Sequence, residues 1–161
     1  MILAFILPPL IGFFINAFRF QSSNKTLSGI IGVSACSMAF LSAVFYIFIY
    51  GFDSKSFFIW PWFQAGDLVL NFSFVIDPLS LLMTLLVTGV ASLIHLYSFG
   101  YMSGDPGFTR YFAYLNLFVF MMLVLVLADS LPLLFVGWEG VGLCSYPVSY
   151  THLTLPTKRI V

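Results

Sequence analysis

Apolar residues run in long blocks along this chain, broken at a few places by short polar or proline-containing stretches. A helix needs roughly 20 apolar residues to cross a bilayer core. Five blocks approach that length, at about residues 2–18, 28–50, 78–101, 111–128 and 131–147. The first ends at Arg19 and a polar run; the fifth gives way to polar sequence from residue 148. The long connection between the second and third blocks has a different rhythm. Leu68, Leu70, Phe72, Phe74 and Ile76 alternate with Val69, Asn71, Ser73 and Val75, a period of two that signals a strand. The aromatic run 57–63 is the expected partner strand, with 64–67 as the turn. Trp60 and Trp62 suit headgroup depth. The expected fold is an all-α polytopic membrane protein of about five transmembrane helices, with a β-hairpin over 57–76 lying on one membrane face.

Composition strengthens this reading. Hydrophobic residues make up 61% of the chain and charged residues 7%, against about 25% charged in soluble domains. A water-soluble enzyme is excluded, and so is a disordered or nucleic-acid-binding chain, since both need many charges. Cys36 and Cys144 lie far apart in apolar blocks, which is neither a disulfide framework nor a metal or iron–sulfur spacing. No glycine-rich phosphate motif is present. The first block lacks the basic start and cleavage pattern of a signal peptide and reads as a retained helix. Arg19, Lys25 and Arg110 fall in loops on one side and Lys55 on the other, which favours an outside N-terminus and an outside hairpin.

Local signals add detail. Asp77-Pro78 reads as a helix start, with the carboxylate capping free N–H groups and proline at the first helical position. Asp129-Ser130 before Leu131-Pro132 repeats it, so helix capping is expected of both Asp77 and Asp129. Gly32, Cys36, Ala39 and Ala43 share one face of the second helix and predict a packing seam. On the third helix Ser80, Thr84, Thr88, Ser92, His95 and Ser98 share a face. Their hydroxyls suit bonds to backbone carbonyls within a seam, or a hydrated stripe with His95 as a proton relay. His95 lies ~27 Å from Asp77 along the axis, near the far interface. Tyr114 and Asn116 read as satisfied polar groups with no chemistry.

Glu139 is the one acid inside a predicted span. It lies ~13 Å beyond Ser130, close to half of a ~30 Å core. An ionised side chain there costs at least ~2.5 kcal/mol. Burial raises a carboxyl pKa and a nearby cation lowers it, so a carboxyl held between the two can load and release a proton. The alternative is a neutral Glu139 acting as an interhelical hydrogen-bond donor. Gly137, Gly140 and Gly142 around it allow a neighbouring helix to approach closely.

Residues 148–161 differ in character from the rest. Their reverse translation resembles a transposase adapter used in sequencing libraries, followed by an index. The expectation is that these residues are not native and that the true protein continues beyond Pro147, so His152, Lys158 and Arg159 enter no functional argument.

The runs LVLAD (125–129) and FVGWEGVGLCSY (135–146) closely resemble subunit L of proton-pumping NADH:quinone oxidoreductase, respiratory complex I, whose mitochondrial counterpart is chain 5. The stretches ILPPLIG (6–12), FVIDPLS (74–80) and YFAYLNL (111–117) support it. The resemblance covers about residues 1–147, the family's N-terminal portion. It implies an antiporter-like subunit built from inverted helix repeats. It also implies that Glu139 pairs with a lysine on a later helix, absent from this chain, and gates protons into a hydrated axis. NADH, FMN, iron–sulfur clusters and quinone would belong to other subunits, with no cofactor or metal on this chain. Partners would be other complex I membrane subunits, especially subunit M, and the lipid bilayer, in a bacterial plasma membrane. Multisubunit sodium/proton antiporters share this architecture and are the alternative; a structural membrane module without transport is another. Without the partner lysine, the 161 residues alone are expected to transport nothing.

Overall fold

The computed structural model describes residues 2–19, 24–65, 68–105 and 107–153. The elements are α1 (Leu3–Phe18), α2 (Lys25–Tyr50), β1 (Lys55–Ala65), β2 (Leu68–Ile76), α3 (Pro78–Tyr101), α4 (Phe108–Leu127) and α5 (Leu131–Leu153). By length and composition α2, α3 and α4 can each cross a membrane. Helix α1, with 16 residues, reaches ~24 Å at ~1.5 Å per residue, which spans a core by local thinning or snorkelling at its ends.

Several boundaries differ from the sequence expectation. Helix α2 begins at Lys25 rather than 28, and α4 at Phe108 rather than 111. Polar residues at a membrane surface lose nothing by being helical, because long basic side chains reach outward to water. Helix α5 continues to Leu153 rather than ending at 147. Pro147 removes a single N–H and leaves the backbone able to remain helical behind it. The side chains from 147 on, His152 among them, and all of 154–161 lie outside the described residues. The strands extend to Ala65 and from Leu68, so the expected four-residue turn shrinks to residues 66–67, which also lie outside the described set.

Helices α1 to α4 form one bundle. Helix α4 packs against α1, α2 and α3, and α5 leans on the outer side of α4. The interior near the hairpin is apolar: Phe5, Tyr46, Ile76, Leu81, Leu123, Leu127 and Leu133 are buried together. Lipid tails are as apolar as leucine, so close packing, rather than exclusion of water, holds such helices together. The seam expected on α2 is present, with Gly32, Cys36, Ala39 and Ala43 all buried.

Pro8 and Pro9 lie inside α1. Pro8 cannot donate to the Ala4 carbonyl four residues earlier. Ser42 of α2 fills that gap, donating from Oγ to Ala4 O at 2.9 Å and sharing the hydroxyl with Ala39 O at 2.7 Å. Helix α2 ends at Gly51, whose φ of 65° allows its N–H to reach Ile47 O.

The hairpin is antiparallel, with register shifts at Phe58/Trp60 and Pro61/Phe63. Proline cannot donate to a ladder and is accommodated at such irregularities. Trp60 stacks on Phe72 at 4.7 Å. The hairpin is pinned to the bundle at the α4–α5 turn. Asp129 N–H donates to Ser73 O, Ser73 Oγ donates to Asp129 Oδ2 at 2.8 Å, and Phe74 forms an isolated bridge with Ala128.

Candidate functional site

Asp77 caps α3 as its sequence suggests. Its Oδ1 accepts from Ser80 N–H at 2.6 Å, and its own N–H donates to Ser80 Oγ at 2.8 Å, a reciprocal capping box with Pro78 in the first turn. The Ser80 N–H, then the Ser80 hydroxyl, hold the Asp77 carboxyl below its usual range. Asp129 stands one residue outside the corresponding position. Ser130, whose carbonyl accepts from Leu134 N–H, directly precedes α5. The Asp129 carboxylate turns to Ser73 of the hairpin instead.

Helix α5 meets α4 along one narrow stripe. Leu133 and Cys144 are buried. A Cβ at Gly137 would lie 2.7 Å from the Leu125 backbone nitrogen, and one at Gly140 would lie 2.5 Å from Met121 Sδ. These two glycines therefore let the helices touch, whereas Gly142 faces open space. Glu139 is off this stripe. At ~100° per residue it is turned ~200° from Gly137 and ~100° from Gly140, and it is exposed. Around it Leu131, Phe135, Trp138, Leu143 and Tyr146 are exposed too. Among the described residues Glu139 has no ion pair or hydrogen bond. A carboxyl thus sits within a largely apolar, uncovered helix face.

The stripe on α3 is mostly a packing seam. Ser80, Thr84, Thr88, His95 and Ser98 are buried. Thr88 Oγ1 donates to Thr84 O at 2.6 Å and Ser92 Oγ to Thr88 O at 2.7 Å. Ser98 pairs with the Tyr111 hydroxyl at 3.0 Å. His95 differs. Its Nδ1 lies 2.7 Å from Ala91 O. A carbonyl only accepts, so Nδ1 carries the proton and Nε2 of the neutral ring is an acceptor. Nε2 is buried without a partner. The imidazole faces Phe112 of α4 edge-on, 6.0 Å between centroids. Glu139 points away from α4 and His95 points toward it, so the two candidate residues are not brought together.

Asn116 and Asn16 are polar residues whose importance sequence reasoning missed. Asn116 Nδ2 donates to Phe112 O at 2.8 Å, yet its Oδ1 is buried and unpartnered. Asn16 Nδ2 donates to Ser28 O at 3.2 Å, and its Oδ1 is likewise unpartnered. An unmet buried acceptor costs about 1–3 kcal/mol. The available signal was that each asparagine interrupts an apolar run. The glycines that make room for Asn116 were visible too: a Cβ at Gly12 would lie 3.1 Å from its Oδ1, and one at Gly32 would lie 3.0 Å from its Nδ2.

Residues 62–112 match the family described as NADH-Ubiquinone oxidoreductase (complex I), chain 5 N-terminus. The chain is 46% identical over 154 residues to NADH-quinone oxidoreductase subunit L of Escherichia coli (strain K12), covering 94% of this chain and 25% of that protein. It is 39% identical over 150 residues to NADH-ubiquinone oxidoreductase chain 5 of Hypocrea jecorina, covering 91% of this chain and 21% of that one. Among solved structures it resembles a chain of the Mrp complex from Dietzia sp. DQ12-45-1b, with a TM-score of 0.67, 28% identity, and coverage of 88% of this chain and 15% of that chain. The chain thus spans about a quarter of the length of the curated relatives it matches.

Proposed function

Because this chain belongs to the subunit L/chain 5 family of complex I and matches its N-terminal region, we propose that Glu139 is the intramembrane carboxyl through which it takes part in proton translocation. The observation that carries this reading is the uncovered α5 face. Glu139 is the ninth of the 23 residues of α5 and has apolar exposed neighbours. An ionised carboxylate facing lipid there costs at least ~2.5–3.5 kcal/mol. The face therefore calls for further helices and for a cation among them. A lysine ammonium near Glu139 favours the charged carboxylate. Withdrawing it in a dry environment favours the protonated acid. Moving one cation by a few ångströms then loads and unloads one proton.

In this reading the redox chemistry belongs to other chains, and partners are neighbouring membrane subunits, subunit M among them. Helix ends carrying Lys25 and Arg110 lie opposite the hairpin, which supports an outside hairpin and N-terminus; the likeness to bacterial subunit L supports a plasma-membrane setting. The likeness to an Mrp chain supports an antiporter-like architecture, and its lower identity supports the complex I assignment over an antiporter one.

The test is Glu139→Gln in the complete subunit within its complex. Glutamine keeps the shape and cannot ionise. NADH-driven proton uptake into membrane vesicles should fall severalfold with assembly intact on native gels, and Glu139→Asp should retain part of it. Unchanged proton uptake in Glu139→Gln refutes the assignment and leaves Glu139 a structural hydrogen-bonding group.

A further inference from the structure

The interior shared by α1, α2, α3 and α4 holds three acceptors that meet no donor. Asn16 Oδ1, His95 Nε2 and Asn116 Oδ1 are all buried without a donor, and all three residues are fully buried. Their orientations are fixed by partners that can only accept. Ala91 O takes the Nδ1 proton of His95. Phe112 O takes an Nδ2 proton of Asn116, and Ser28 O takes one from Asn16. An amide flip would place acceptor against acceptor, and a ring flip would set a carbon in place of Nδ1 against Ala91 O, so turning any of the three side chains gives up a bond the structure makes. The Asn116 amide lies beside the His95 ring as its nearest side-chain hydrogen-bonding group, but no bond of good geometry reaches Nε2 or Asn116 Oδ1.

We infer that His95 is a one-sided proton-loading site, whose Nε2 exchanges a proton with water held against Asn116. Water supplies the missing O–H donors to Nε2 and to Asn116 Oδ1. When hydronium replaces it, Nε2 takes the proton, the N–H bond forms as an O–H bond breaks, and neutral water remains. The imidazolium N–H then donates toward Asn116. Release is the reverse, from the same nitrogen.

The site is one-sided because Nδ1 is closed off by Ala91 O, so a proton entering at Nε2 has no second exit on the ring. This differs from a relay through the ring, one of the two roles the sequence left open for His95, which needs both nitrogens. Access is from the end opposite the hairpin. His95 lies six residues before Tyr101, the end of α3, or ~9 Å. Asn16, Ser28 and Thr109 form a polar layer at that end, where Thr109 Oγ1 donates to Ser28 Oγ at 3.3 Å. The titratable groups facing α3 from its neighbours are Cys36 of α2, bonded to Ser92, and Tyr111 of α4, bonded to Ser98. Arg110 is on the exposed side of α4. The chemistry of this site stands apart from Glu139; its use in translocation rests on the proposed function.

The test is ¹⁵N NMR of the 161-residue chain, histidine-labelled and carrying His152→Gln so that one imidazole remains, in lipid nanodiscs. Nδ1 should stay protonated throughout. Nε2 should convert reversibly from bare to protonated on acidification and show magnetisation transfer from water. That transfer should vanish in Asn116→Leu while Nδ1 keeps its proton. An Nε2 that exchanges nothing with water, an Nδ1 that loses its proton, or an Nε2 that responds to sodium instead of acid overturns the inference. Because this readout needs no pumping, failure of the Glu139 assignment leaves it unaffected, and the reverse holds.

Discussion

Ser42 Oγ on α2 donates to the Ala4 carbonyl on α1 at 2.9 Å, supplying the hydrogen bond that Pro8 cannot make. In hydrocarbon an unmet carbonyl has no water to turn to. Ser42→Ala should therefore destabilise the α1–α2 pair by about 1 kcal/mol. In a Pro8→Ala background, where residue 8 regains its N–H, the same change should cost roughly half as much or less. A double-mutant cycle by reversible unfolding in mild detergent measures the coupling; purely additive costs would mean that Ser42 does not serve Pro8.

The capping box at α3 should be sensitive to acid. The carboxyl of Asp77 is held below its usual range by Ser80. Its contribution is therefore fully present above the unfolded value, about 3.9, and is lost as pH falls through the lower folded value. Asp77→Ala should cost about 1 kcal/mol and remove this dependence. Asp77→Asn keeps a capping oxygen and should remove the pH dependence at a smaller cost. Amide exchange at Ser80, followed against pH, distinguishes the three.

Three glycines near Glu139 should respond to alanine in a fixed order. Gly137→Ala presses a methyl group onto the Leu125 backbone, which cannot move aside cheaply, and should cost about 1–3 kcal/mol. Gly140→Ala meets the flexible Met121 side chain and should cost less. Gly142→Ala meets nothing and should stabilise α5 by up to about 1 kcal/mol. Thermal unfolding of the three variants in one detergent checks the order, and equal effects would mean that α5 does not seat on α4 as described.

The hairpin should loosen when its pin is removed. Ser73→Ala deletes the 2.8 Å bond to Asp129. Hydrogen exchange at the Asp129 amide, which donates to Ser73 O, should speed up severalfold while amides in mid-α4 stay protected. Uniform protection across both would show that the contact at the α4–α5 turn is held by Phe74 and Ala128 instead.

What the sequence disclosed follows the range of each signal. Asp77-Pro78 was legible because a cap is a contact over three residues. Glu139 stood out because one charge in an apolar block is costly wherever that block packs. The α2 seam was legible from residue size. The faces of α5 were not, since lipid and protein interior both select apolar side chains and leave no periodicity to read. The asparagines escaped because satisfaction depends on neighbours from other helices: Asn116 borders glycines of α1 and α2. Ser42 acquires its role only once α1 lies beside it.

Strand β2 runs directly into α3 through Asp77, and three residues before it ends, at Ser73, it grips the turn that starts α5. One short ribbon thus fixes the height at which both helices enter the membrane. His95 and Glu139 never touch, yet their depths are set from a common datum. A piston-like displacement of α5 along the membrane normal would have to drag α3 with it or break the Ser73–Asp129 contact. Tilt and rotation of α5 about its glycine stripe carry no such penalty, and they are the motions this architecture leaves free.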